Sequence, residues 1–230
     1  MTYAVNGKAD FRADGERFSP EGAHFTIRGL KYKETDVLLP MSGYHNIENA
    51  TGVFAAARAL GLSRETIAKA FRTFTGVKRR QEPRGEIGGV LVLDDFAHHP
   101  TAVRETIEGV RQRYPERRLW AVFEPRSNTS RRNIHQADYV TALANADVVT
   151  IREPEPHDKV PLNQQLDVGA IVQELNTKGV VADAAPAVDT LVERVSMNAQ
   201  PNDLLLVMSN GSFGGFIPSV LERLKARSSA

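Results

Sequence analysis

The sequence predicts an α/β protein: a Rossmann-like, doubly wound and mostly parallel sheet over residues 78–230, preceded by a partial β/α segment over residues 1–77. Three observations support this. The apolar runs Val90–Leu93, Leu119–Phe123, Asp147–Ile151, Val180–Val181 and Leu204–Met208 alternate with stretches of helical periodicity. Strand alternating with helix means βαβ units, parallel pairing and right-handed crossovers. Val90-Leu91-Val92-Leu93 is apolar without interruption, as a strand covered on both faces should be. The first part differs in texture, with strands first and helices after, and a break at Thr75-Gly76-Val77-Lys78-Arg79-Arg80 separates the two.

In chain order, Phe25 and Ile27 alternate with polar neighbours and Val37-Leu38-Leu39 forms a second run. The first forty residues therefore read as a meander of short antiparallel strands. Gly15, Gly22 and Gly29 fall between the segments as turns, and Pro40 ends the last strand. From about Asn46 to Leu60, Ala50, Val53, Phe54, Ala57 and Leu60 recur at helical spacing, with Gly61 as the stop. Ser63, with Glu65 and Thr66, starts a second helix carrying Ile67, Ala70 and Phe71. These strands look too few and short for an independent sheet with both faces covered. Beyond the break, helices are expected near Thr101–Tyr114, Ile134–Leu143, Ile171–Leu175, Val188–Val195 and Ile217–Leu224.

Composition narrows the function classes. The chain has 29 Lys+Arg and 28 Asp+Glu, a net charge of +1, so no overall field draws it to nucleic acid or to a membrane. Basic residues are interspersed with acids and no aromatic platform accompanies them, which also argues against nucleic acid. There is no cysteine, which removes disulfides, thiolate metal sites and a cysteine nucleophile. No apolar run approaches the ~18 residues needed to span a bilayer. The N-terminal residues lack a signal-peptide apolar segment, so a soluble cytoplasmic protein is expected.

Ligands of a doubly wound sheet sit beyond the carboxyl ends of its strands. Four polar loops occupy those places: Asp94–Pro100, Glu124–Arg132, Arg152–Asp158 and Ser209–Gly215. Asp94 and Asp95 either belong to a site or cap the helix near Thr101. His98 and His99 beside them suggest a metal, and a metal-dependent hydrolase using Asp95, His98 and His99 is one possible function. Adjacent residues in an extended turn diverge, however, so hydrogen bonding to a phosphorylated ligand is the better reading and no metal site is expected. Ser209-Asn210-Gly211-Ser212-Phe213-Gly214-Gly215 is either a tight turn or a place where backbone amides approach an anion. Lys78-Arg79-Arg80, with Arg84 nearby, is either a solvated linker or a phosphate-binding group. Asn46 and Asn49 are three apart and share a helical face; capping and contact with an adenine edge both suit them. No Gly-x-x-x-x-Gly-Lys-Ser/Thr occurs in the 230 residues.

Five of these segments, in order, resemble motifs of the Mur ligase family: Ser42–Ala50, Phe74–Glu82, Leu93–Ala102, Phe123–Thr129 and Ser209–Gly215. The resemblance runs through nearly the whole chain. It implies a three-domain parent, of which residues 1–77 would be the last part of the central ATPase domain and residues 78–230 the Rossmann-like C-terminal domain. It further implies an ATP- and magnesium-dependent ligase of the cell-wall pathway that joins UDP-N-acetylmuramate to an amine through an acyl phosphate, with most magnesium ligands elsewhere in the parent. Phe96-Ala97 and Pro125-Arg126-Ser127-Asn128 depart from the pattern of members that add L-alanine. They agree with members that add the murein tripeptide L-alanyl-γ-D-glutamyl-meso-diaminopimelate. Carried over, the family roles put His45, Asn46 and Asn49 at the adenine and Arg80 at the ATP phosphates. Asp95 falls near the ribose or phosphates, His98 and His99 at the reacting centre, and Arg126, Ser127, Asn128 and Thr129 on the incoming peptide. Without a P-loop the chain is expected to be inactive alone; an L-alanine-adding ligase and a non-catalytic nucleotide- or peptide-binding module are the alternatives.

Overall fold

The computed structural model describes residues 1–29, 32–154 and 160–228, apart from the side chains of residues 32 and 33. The chain divides into two compact units. One comprises Met1–Val77 with Glu108–Pro115; the other comprises Lys78–Ile107 with Glu116–Ala230.

The first unit holds β1 (Tyr3–Val5), β2 (Phe11–Ser19), β3 (Gly22–Gly29) and β4 (Tyr32–Leu39), then α1 (Tyr44–Ala59) and α2 (Arg64–Arg72). The four strands form one sheet in the order β1-β2-β3-β4. Every second residue of the meander turns to one face: Phe11 and Ala13, Ala23, Phe25 and Ile27, then Val37 and Leu39. These pack on Ile47, Ala50 and Phe54 of α1 and on Ile67 and Phe71 of α2. Helix α1 ends in a paired return: Leu62 N–H donates to the Ala57 carbonyl and Gly61 N–H to Arg58, both at 3.1 Å, with Gly61 at φ 87°. Helix α2 starts where Ser63 Oγ accepts the Thr66 N–H at 3.1 Å.

Three expectations for this part need correction. The β1–β2 pair is parallel, so the block is not antiparallel throughout. Gly15 is not a connector but lies inside β2 at φ 68°, where the register with β3 slips between Asp14 and Arg17. An extra residue there bulges the strand instead of ending it. The strands are accordingly longer than expected and form a sheet of their own.

The second unit contains β5 (Glu82–Ile87), β6 (Val90–Asp95), the first part of α3 (Pro100–Arg113, of which residues 108–113 belong to the first unit), β7 (Arg118–Phe123), α4 (Gln136–Leu143), β8 (Val148–Arg152), α5 (Val168–Thr177), β9 (Val181–Ala185), α6 (Val188–Asn198), β10 (Asp203–Met208) and α7 (Phe216–Ser228). Its sheet runs β5-β6-β10-β7-β8-β9, parallel except for the antiparallel edge pair β5–β6. Residues Val90, Val92, Trp120, Val122, Leu205 and Val207 face α6 and α7. The alternate residues, Leu91, Leu93, Leu119, Ala121, Leu204 and Leu206, are equally buried. Phe123 reaches Tyr139 of α4 on that side, ring centroids 5.2 Å apart, with α5 beside α4. The expected doubly wound sheet is present.

Strand β5 was not anticipated. Glu-Pro-Arg-Gly-Glu-Ile has no apolar pattern because an edge strand needs none, and Pro83 is tolerable there. Gly88 and Gly89, at φ 58° and 79°, turn the hairpin into β6. At the sheet centre, Trp120 Nε1 donates to Thr150 Oγ1 at 2.9 Å, both residues nearly inaccessible. Thr150→Val keeps the shape and leaves the indole N–H unpaired. It should cost about 1–3 kcal/mol, read as a lower urea midpoint at unchanged slope.

Candidate active-site rim

Strand β10 fills the slot between β6 and β7, so the carboxyl ends of these three strands lie side by side. The ladder continues one residue into the loops: Ser209 N–H donates to the Asp95 carbonyl at 3.1 Å and Glu124 N–H to Met208 at 3.0 Å. Three of the four polar loops therefore leave from fixed, adjacent points. Of the fourth, Glu155, Pro156, His157 and Asp158 lie outside the described residues.

Asp95 sits beneath this rim, not on it. Its side chain is 2% exposed. Oδ2 accepts the Gln81 N–H at 2.9 Å; Oδ1 accepts the Ala97 N–H at 2.7 Å and lies 3.4 Å from the Thr106 hydroxyl. Arg79 and Gln81 both have positive φ, 58° and 49°. Non-glycine residues adopt that region at a cost of about 1–3 kcal/mol each unless their surroundings fix them. The fixing contacts are visible: Arg79 N–H donates to Glu82 Oε2 at 2.8 Å, and Phe96 N–H donates to the Arg79 carbonyl at 2.8 Å. The Arg79 guanidinium donates to the Ser209 and Gly211 carbonyls at 2.5 and 2.6 Å and stands 3.5 Å from Asp94. Arg84 reaches Asp94 at 3.1 Å.

The basic cluster thus splits by role. Arg79 is half-buried and bonded to the loop after β10, and Arg84, itself exposed, pairs with the buried Asp94. Arg80, between the two strained residues, is exposed, with its guanidinium 5.8 Å from the Phe96 ring centroid and no hydrogen bond or ion pair to any described residue. Phe96 also receives Arg79 at 5.1 Å and the His98 ring edge-on at 5.4 Å.

His98 and His99 diverge. His98 Nδ1 is 3.0 Å from the Phe96 carbonyl, whereas the exposed His99 ring meets His135, centroids 4.9 Å apart. His135, in the 3₁₀ turn Asn133–His135 before α4, is itself 3.1 Å from Asp138 Oδ2. Among the described residues no group of three or more His, Asp or Glu could hold a metal ion. Sequence reading missed His135, because only the fold brings position 135 to position 99.

In the loop after β7, Glu124 is buried and accepts the Ser209 hydroxyl at 2.5 Å, and Ser209 Oγ accepts the Gly211 N–H at 2.9 Å. A Cβ on Gly211 would fall on the Arg126 guanidinium, so the exposed Arg126 lies against the bare backbone of the β10–α7 loop. Ser127 turns inward: Oγ donates to Ser130 Oγ at 2.8 Å and accepts the Ser130 N–H at 3.0 Å. Its hydroxyl builds the turn, while Asn128 and Thr129 remain exposed. Beyond them, Arg131 accepts the Leu166 N–H at 2.8 Å and Arg132 donates to Gln164 at 3.0 Å.

In the first unit, His45, Asn46 and Asn49 occupy the start of α1. The N-cap is Gly43 at φ 98°, a position where a Cβ would strike the His45 ring. Neither asparagine caps the helix. Asn46 Nδ2 donates back to the Ser42 carbonyl at 2.7 Å, and Asn49 is exposed with no hydrogen-bond partner among the described residues.

Residues 79–211 match the family model described as Mur ligase, glutamate ligase domain. The chain belongs to the Mur ligase family. It is 36% identical over 218 residues to the UDP-N-acetylmuramate–L-alanyl-γ-D-glutamyl-meso-2,6-diaminoheptandioate ligase of Haemophilus influenzae, covering 92% of this chain and 45% of that protein. It is 34% identical over 241 residues to the UDP-N-acetylmuramate–L-alanine ligase of Phenylobacterium zucineum, covering all of this chain and 50% of that protein. The crystal structure of a murein peptide ligase from Psychrobacter arcticus superposes with a TM-score of 0.64 at 31% identity, over 97% of this chain and 46% of that one. The chain spans about half the length of the curated relatives it matches.

The Asp95 joint has a direct test. Asp95→Asn sets an amide NH₂ against one of two backbone N–H donors. It should destabilise the loop by about 1–3 kcal/mol and speed Gln81 or Ala97 amide exchange roughly tenfold or more. Unchanged exchange at both positions would mean the carboxylate is not what holds the turn.

Proposed function

We propose that the chain is the C-terminal half of an ATP-dependent acid–amine ligase that joins the carboxylate of UDP-N-acetylmuramate to the amine of L-alanyl-γ-D-glutamyl-meso-diaminopimelate, a cytoplasmic reaction of murein recycling. Residues 1–77 are read as the end of the central ATPase domain and residues 78–230 as the C-terminal domain. The observation that carries the proposal is the rim: an exposed, unpaired arginine at 80 and an exposed arginine at 126, each anchored to a βα loop of one sheet edge.

The side chains present fit ATP in part. Asn46 and Asn49 offer amide donors and acceptors on an exposed helix face beside His45, which suits an adenine edge. Arg80, with no internal partner, is available to phosphate oxygens. Asp95, buried and engaged, serves by setting the loop that carries Phe96, His98 and His99. The described residues hold no cluster of three or more His, Asp or Glu that would cage magnesium. Bound ATP supplies the phosphoryl group that activates the muramate carboxylate. What this chain's residues contribute is placement: Arg80 steadies charge on the transferring group, and Arg126, Asn128 and Thr129 align the peptide so that its amine meets the activated carbonyl. Alignment of this kind is worth several kcal/mol in reactions with little covalent help from the protein.

The Phenylobacterium relative favours L-alanine as the amine in a second reading. The exposed loop at Arg126–Thr129 and the Phe96-Ala97 pair favour the tripeptide. Assaying the full-length parent with both amines decides: turnover with tripeptide is expected, and turnover with L-alanine alone would overturn the assignment. Purified 1–230, without a P-loop, should bind ligand but show no ATP-dependent ligation. In the parent, Arg80→Ala should lower kcat by about 10²–10³, as losing one preorganised donor does; an unchanged rate removes Arg80 from the mechanism.

A further inference from the structure

We infer that Tyr139, together with His135, is a positioning group that ties the His98–His99 loop to Phe123 at the root of the loop after β7 and so sets the distance between the reacting centre and the peptide. The inference rests on the reading of the rim given above.

Tyr139 is 1% exposed, and its ring packs on Phe123 at the end of β7. Its hydroxyl donates to the His98 main-chain carbonyl at 2.6 Å. Four residues earlier, His135 meets the His99 ring. Positions four apart share a helix face, so one edge of α4 and its leading turn engages both histidines in succession. Burial raises the phenol well above its ordinary pKa while the neighbouring Ser130 hydroxyl opposes the rise, so the O–H donor persists across the working pH range.

Between Asp95 and Pro100 the backbone of the loop after β6 is held at Phe96, whose N–H donates to the Arg79 carbonyl at 2.8 Å, and at the His99 carbonyl, which accepts the Val103 N–H at 2.9 Å. Between those two points the tyrosine hydroxyl fixes the His98 carbonyl. Removing that oxygen frees the carbonyl to turn, and misplacing a reactive group by ~1 Å can cost about 10²-fold in rate.

Tyr139→Phe removes one oxygen and keeps the ring on Phe123. In chain 1–230 it should shift the imidazole resonances of both His98 and His99, speed amide exchange at residues 97–99, and weaken L-alanyl-γ-D-glutamyl-meso-diaminopimelate binding roughly tenfold in calorimetry. Phe123→Leu, which removes the ring contact and leaves the hydroxyl, should move the His98 resonance in the native chain but not on the Tyr139→Phe background. Thr150→Val, destabilising but on the Trp120 side of the sheet rather than the Tyr139 side, should leave resonances and peptide affinity unchanged; a similar loss there would reduce the tyrosine to a stability residue and overturn the inference. Unmoved histidine resonances in Tyr139→Phe would also overturn it. Should Tyr139→Phe fail to fold, Phe123→Leu alone decides by the same resonance. If the native chain takes up no tripeptide, the substrate reading fails, while the resonance measurements still decide the clamp.

Discussion

The Asp95 carboxylate fixes the junction between the segment that leads into β5 and the loop that leaves β6. One oxygen takes the Gln81 N–H from the segment leading into β5, and the other takes the Ala97 N–H from the loop after β6. Two strained residues, Arg79 and Gln81, are tolerated because this carboxylate and its neighbours define their backbone. The strain has a geometric result: the side chain between them, Arg80, is turned outward while Arg79 is turned in to the Ser209 and Gly211 carbonyls. The role proposed for Arg80, binding phosphate, needs a side chain free of internal partners yet fixed in place, and the alternation of inward and outward residues suits both.

The sheet supplies the second constraint. Inserting β10 between β6 and β7 brings loops from opposite ends of the domain sequence within one hydrogen-bonded ladder. Glu124 and Ser209 then fasten the middle and last of them at 2.5 Å, and Arg126 lies on Gly211 where any side chain would displace it. Polar groups buried this way are costly when unpaired and stiffening when paired, so the same bonds that stabilise the rim also fix its shape.

Much of the fold was legible because the signals were local. Buried parallel strands read as apolar runs and helices as three- and four-residue spacings, and Ser63 and Gly61 punctuated α2 and α1 as expected. What failed was non-local or weakly patterned. Strand β5 is an exposed edge with proline and glycine, so nothing in it repeats; Gly15 looks the same in sequence whether it turns a chain or bulges a strand. At the rim, motifs located the loops but not the roles within them. Adjacent letters could not show that Arg79 is internal and Arg80 external, that the Ser127 hydroxyl is absorbed by its own turn, or that Asp95 lies below the surface. Nor could they show that His135 would meet His99 across thirty-six positions of chain, since a crossover helix brings them together.

The proposal drawn from these features is that three loops at the carboxyl edge of the sheet form a single preorganised cradle for a peptide amine and its activated partner. Amide chemical-shift mapping of nitrogen-15-labelled 1–230 during titration with L-alanyl-γ-D-glutamyl-meso-diaminopimelate tests this most directly. The account predicts saturable shifts concentrated at residues 94–100, 124–132 and 209–215, with none from an equal concentration of L-alanine. Shifts scattered away from these loops, or equal shifts with the free amino acid, would contradict it.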